Sequence, residues 1–183
     1  MKKFLPLFAI AIFTFTSCSN DGERGPQGPA GPPGDDGLIG VVFDVAADDF
    51  TEGNGYGFEV EYSDYTSEEV FETDVVLVYM KTGEDGQVDG QPVEIWSLLP
   101  QVYYVDGGGS MQYNYDYTFF STYIYLDGDV DLSTLDSSYT DDQVFRIAII
   151  PAGIANDASV DFSSYEEVMS AMKVKDINIP AVE

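Results

Sequence analysis

Seven glycines recur at every third position: Gly22, Gly25, Gly28, Gly31, Gly34, Gly37 and Gly40. Only glycine fits the crowded axis of three polyproline-II chains, so an uninterrupted period of three is what a triple helix demands. Pro26, Pro29, Pro32 and Pro33 fill the intervening positions, where their fixed φ lowers the entropy cost of ordering. Gly22 to Gly37 open six triplets, which at ~3.1 Å per residue would reach roughly 55 Å. So short a triple helix needs a further contact between its chains, and the rest of the chain is the candidate. The competing reading is a monomeric, extended Pro/Gly linker. A trimer is the expectation.

Residues 1–17 read as a leader. Lys2 and Lys3 give a positive start, and Phe4 to Phe15 is an apolar run of about a dozen residues, shorter than the ~20 needed to span a bilayer. Phe15-Thr16-Ser17-Cys18 follows, and Cys18 is the sole cysteine. Small residues before a cysteine at the end of such a run resemble the bacterial lipobox, which implies that Cys18 carries acyl chains and anchors the protein to a lipid bilayer. Stable anchoring takes more than one chain, and a lipoprotein cysteine supplies them. An ordinary secretory leader with an incidental cysteine is the alternative. Residues 18–21 then form a short tether.

Charge narrows the partners. Without Lys2 and Lys3 the chain keeps five basic against 33 acidic side chains, a net charge of −28; from Val41 onward, 29 acidic residues face Lys81, Arg146, Lys173 and Lys175. Such a surface is repelled by phosphate backbones and anionic lipid, so nucleic-acid binding is not expected. Cations, basic partners and neutral sugars remain compatible, as does plain solubility. A single cysteine leaves no disulfide and no zinc-thiolate site. Histidine is absent, which excludes Ser-His-Asp and Cys-His catalysis.

Residues 41–183 change character. Met111 to Phe119 alternates apolar or aromatic odd positions with polar even ones, which puts five side chains on one sheet face. Phe58 to Tyr62 does the same. Val75 to Met80 and Val144 to Ile150 are nearly continuous apolar runs, as strands covered on both faces are. Further strands are expected at Val41 to Val45, Val93 to Leu98, Val102 to Val105 and Thr122 to Leu126. Pro100 marks a corner between two of them. Turns are expected at Glu52 to Gly55, Gly83 to Gly86, Asp106 to Gly109 and Asp127-Gly128. Eight strands at this spacing predict an all-β head, an antiparallel β-sandwich or jelly-roll-like barrel. One short C-terminal helix is expected, capped by Ser163 and Glu166, with Tyr165, Val168, Met169 and Met172 on its apolar face, covering an open end or edge of the sheet.

The lipobox, the repeat ending in Gly37-Leu38-Ile39-Gly40, and the segments Asp74 to Tyr79, Trp96 to Gln101 and Asp127 to Leu132 together resemble collagen-like surface lipoproteins of Bacteroidota. The acidic stretch Ser19 to Glu23 is similar to the surface-export signal of that group. The resemblance implies an outer-membrane lipoprotein exposed at the cell surface, with a β-rich head for binding or structural roles. It implies no activity.

Asp127, Asp129 and Asp131 place three carboxylates at alternate positions on a turn, a spacing that suits calcium, the one cofactor indicated. An EF-hand would need glycine and glutamate where Leu132 and Ser138 stand, so it is not one. Glu84, Asp85 and Asp89 make a second acidic loop. Solvated turns are the bland reading of both. Carboxylates are too many for a two-acid glycosidase pair to stand out, and with no histidine an enzyme is not expected. Gly53 to Gly57 lacks the dinucleotide spacing. The tyrosines, Tyr103, Tyr104, Tyr123 and Tyr125 above all, and Trp96 are candidates for a sugar-stacking platform, against a bland reading as sheet packing.

Overall fold

The computed structural model describes residues 40–172. The leader, Cys18, the tether and every glycine of the repeat but Gly40 lie outside the described residues, as do residues 173–183. Eight strands form two antiparallel four-stranded sheets. Sheet I holds β1 (Val41–Ala46), β8 (Val144–Ile150), β3 (Val75–Val88) and β4 (Gln91–Leu98), in that order. Sheet II holds β2 (Gly57–Glu61), β7 (Ser121–Gly128), β6 (Ser110–Tyr117) and β5 (Gln101–Tyr104). Short helices α1 (Ser137–Thr140), α2 (Ala152–Ala155) and α3 (Tyr165–Met172) complete the order. The expected all-β sandwich with one short C-terminal helix is present.

The inner faces build the core. Phe43, Val45, Val76, Val78, Phe145, Ile147 and Ile149 of sheet I meet Val60, Met111, Tyr113, Ile124 and Leu126 of sheet II. Phe50 sets its ring edge-on to Phe58, Tyr113 and Phe145 at 5.5–6.2 Å. Burying each such side chain contributes about 1.5–3 kcal/mol. The odd residues of β6 therefore divide: Met111 and Tyr113 are core, whereas Tyr117 is exposed.

Sheet I is covered on its other face too, which explains its apolar runs. Val42, Tyr79, Ala148 and Ile150 pack outward against Val168 and Met172 of α3. The helix thus lies on a sheet face, not over an end or edge. Its start also falls one residue later than expected: Ser164 Oγ accepts from Glu167 N at 3.3 Å, while Ser163 donates to Asp161.

Arg146 and Asp44 sit within this outer interface, 4% and 6% exposed. Arg146 Nε and Nη2 donate to the two Asp44 oxygens at 2.6 and 2.8 Å. The guanidinium lies 4.0 Å from the Trp96 ring centroid, donates to the Tyr165 hydroxyl and has Glu94 at 3.6 Å. Burial works against its charge, but Asp44 and Tyr165 together outweigh that and hold the guanidinium pKa above its ordinary value.

Other boundaries shift for local reasons. Gly83 to Gly86 is not a turn. It lies inside β3, where register slips relative to β4 mark bulges. The reversal is at Asp89-Gly90, both at positive φ, between paired Val88 and Gln91; a two-residue loop with that geometry matches the twist of a hairpin. β6 stops at Tyr117, short of the expected Phe119, because the Thr118 hydroxyl accepts from Phe120 N and Ser121 N and closes a turn. Leu99–Pro100 is a cis bond, and the chain passes there from sheet I to sheet II.

The registers define two ends. Val41 faces Ile149 and Val75 faces Ile150 at the base, where the chain enters at Gly40. Ala46 faces Val144 at the tip, and beyond it β3 and β4 continue alone as a two-stranded arm. Tyr115 Oη donates to Val76 O, which puts the β6–β7 turn at the base. Gly40 is buried, and a Cβ there would lie 3.0 Å from Met172 Cγ. A side chain at the last glycine of the repeat would thus require Met172 to shift.

Arg146→Met leaves Asp44 as an uncompensated buried charge, so it is expected to cost about 3–5 kcal/mol in urea unfolding. Arg146→Met combined with Asp44→Leu should cost much less. Equal losses in the single and double variants would show that packing volume, not the charge, matters.

Candidate functional site

The outer face of sheet II has no helix against it among the described residues. Its strands alternate, so β7 turns Thr122, Ile124 and Leu126 inward and Tyr123 and Tyr125 outward. The two outward rings stack with centroids 5.6 Å apart and planes 21° from parallel. Tyr123 is 38% exposed.

Neighbouring strands place polar groups on both sides. Across from Tyr123 stand Glu59 of β2 and Asp116 of β6; across from Tyr125 stand Gly57 and Asn114; across from Asp127 stands Gln112. Gly57 makes room for the pair, because a Cβ there would lie 2.6 Å from Tyr123 Cζ. The Glu59 carboxylate accepts from Ser121 Oγ at 2.7 Å, which fixes its side chain. Asn114 Nδ2 is a buried donor with no partner among the described residues. Burial pushes the Tyr125 hydroxyl pKa above its ordinary value, and Asp116 and Asp127 add to the effect. It therefore stays a neutral donor and acceptor near pH 7.

Only two of the four singled-out tyrosines meet. Tyr103 faces inward, edge-on to Tyr113 and Tyr139 at 5.7 and 5.9 Å. Tyr104 is exposed at the tip end of β5. Trp96 is on the opposite side of the sandwich, over Arg146. Sequence reasoning missed Gly57 and the flanking Asn114 and Asp116. Their signal was present as the polar even positions of Met111 to Phe119, but their place beside Tyr123 and Tyr125 follows from strand pairing.

The three carboxylates proposed for calcium point to separate tasks. Asp127 Oδ1 accepts from Gly128 N at 2.8 Å. Asp129 Oδ1 turns back to accept from Ser110. Asp131 Oδ1 accepts from Ser133 N and Oγ and caps a 3₁₀ turn. Among the described residues no three acidic side chains gather to hold a metal ion. In the second acidic loop, Glu84 pairs with Lys81 at 3.0 Å and Asp89 belongs to the hairpin turn.

No protein-family model matches the chain, and neither curated proteins nor solved structures yield a match to it. Among the described residues no helix is long and apolar enough to cross a membrane.

Among the described residues Asp131 is one of four Asp-X-Ser turns. Asp136, Asp157 and Asp161 likewise accept from the backbone N–H of Ser138, Ser159 and Ser163. These hydrogen bonds hold all four carboxyl pKa values below the ordinary range, the serine side chain contributing most. Depressed folded-state values stabilise above the unfolded pKa of ~3.9 and lose that contribution as pH falls through the folded values. A variant with Ser133, Ser138, Ser159 and Ser163 changed to Ala should therefore melt below the parent at pH 7, with the gap closing below about pH 3. A gap independent of pH would rule out this linkage.

Proposed function

We propose that the protein is a lipid-anchored cell-surface protein of the outer membrane, in which a collagen-like trimeric stalk presents an acidic β-sandwich head that binds a neutral carbohydrate chain. The reading of anchor and stalk rests on Cys18 and on Gly22 to Gly40, and on their resemblance to collagen-like lipoproteins. One observation carries the reading of the head: the stacked Tyr123–Tyr125 pair on an open sheet face, flanked by amide and carboxylate groups. Aromatic rings offer apolar surface to the C–H faces of a sugar, and fixed polar groups around them set its orientation. Glu59, Asp116 and Asp127 can accept from hydroxyls, and the neutral Tyr125 hydroxyl can donate.

The role is binding, not turnover. Glu59 and Asp116 flank Tyr123 from opposite sides, but on an open face that does not exclude water, and Glu59 is already held by Ser121. Neutral sugar suits the field of the head, since its charge repels anionic polymers. Three heads on one stalk would convert weak single sites into firm attachment, by a factor of up to about 10²–10⁴.

A glycan array probed with chain 19–183 should show hits among neutral polysaccharides, and Tyr123→Ala or Tyr125→Ala should weaken them about tenfold while the fold, read by circular dichroism, is unchanged. An array without hits would leave a structural spacer as the better description. Separately, Cys18→Ala should move the protein out of the membrane fraction. Retention as firm as the parent's would sink the lipid anchor.

A further inference from the structure

The base of the head carries an aromatic cluster that neither the core nor the tyrosine face uses. Phe71 is 54% exposed and Phe120 64%, and Tyr117 and Phe119 are partly exposed. The Phe119 and Phe120 rings lie 3.9 Å apart. Phe71, Tyr117 and Phe119 help to line a cavity of about 340 Å³. Adjacent exposed aromatics are costly to leave in water and mark contact sites.

Two turns place this cluster. Phe71 N donates to Asp74 Oδ2, which closes the turn leading into β3. Asp74 Oδ1 accepts from Ala152 N, just past the end of β8. The hydroxyl of buried Tyr62 bonds Thr122 Oγ1 at 2.8 Å and lies 3.0 and 3.1 Å from the carbonyls of Ser121 and Thr118, and Tyr62 N donates to Phe120 O. Both aromatic turns are thus held rigidly at the end where Gly40 enters.

We infer that this aromatic base is where copies of the chain meet, head against head. The inference rests on the trimeric reading of the stalk and adds the surface that holds it together. The repeat runs to Gly40, the residue just before β1. Three chains leaving one triple helix bring three bases together before any other part of the heads. Six triplets need such a contact. The other exposed apolar side chains lie away from this junction: Val88, Val93 and Ile95 on the arm, Val102 and Tyr104 on β5. Tethering raises the local concentration of heads to the millimolar range, so a modest patch suffices. Glu68, Glu69 and Glu72 beside Phe71 repel their counterparts on the other copies. Salt screens that repulsion within a Debye length of ~8 Å at 0.15 M, so association should strengthen with salt.

The test uses chain 19–183 in analytical ultracentrifugation. The parent should sediment as a trimer, more tightly at 0.5 M than at 0.05 M salt. Phe71→Ser with Phe120→Ser, both exposed, should raise the dissociation concentration roughly tenfold or more, whereas Tyr104→Ser at the tip should not. Because this chain lacks Cys18, Thr118→Cys supplies its only thiol and should cross-link copies on mild oxidation, with Tyr104→Cys as the silent control. A parent trimer unmoved by the double serine variant and not cross-linked through position 118 overturns the base contact and leaves the stalk as what holds the chains. A parent that is monomeric at high micromolar concentration overturns the trimer as well.

Discussion

A buried arginine–aspartate pair organises one side of this head. Among the described residues the basic side chains are Lys81 and Arg146, and both are held by carboxylates. Arg146 is the buried one. From β8 it reaches Asp44 on β1, Glu94 on β4 and the hydroxyl of Tyr165 on α3, so one guanidinium spans the sheet and the helix above it. Removing two charges from water is expensive unless their hydrogen bonds are met; here the bidentate geometry, the Trp96 face and the Tyr165 hydroxyl meet them. The pair is thus more a specifier of where α3 sits than a net source of stability.

The seat of α3 has consequences at both ends of the head. It brings Val168 and Met172 onto Val42, Ala148 and Ile150, which would otherwise face water. It also places Met172 against Gly40. The residue that ends the three-residue repeat, Gly40, is therefore buried against the last helix.

With sheet I covered, sheet II keeps the open face, and the head is polar from end to end as well as from side to side. The tip gathers Asp89, Asp106, Asp127 and Asp129 in its loops, while the base gathers Phe71, Tyr117, Phe119 and Phe120. The tyrosine pair lies between these ends, on the flank.

The strands themselves were legible in the sequence because side-chain alternation is a local property: period two in Met111 to Tyr117, and unbroken apolar runs in Val75 to Met80 and Val144 to Ile150. The corner at Pro100 was legible for the same reason, since proline cannot donate to a ladder. What the chain could not state locally was pairing. Gly83 to Gly86 carries turn residues yet runs through a bulged arm, because Asp89-Gly90 offers the two positive-φ positions a hairpin needs. Asp127, Asp129 and Asp131 are close in sequence, but their Oδ1 atoms accept from the backbone of three different residues, Gly128, Ser110 and Ser133. Tyr123 and Tyr125 became a face only when β2 laid Gly57 beneath one ring and β6 set Asn114 and Asp116 alongside. Long-range register decides which side chains meet, and register is a property of the folded sheets, not of any one strand.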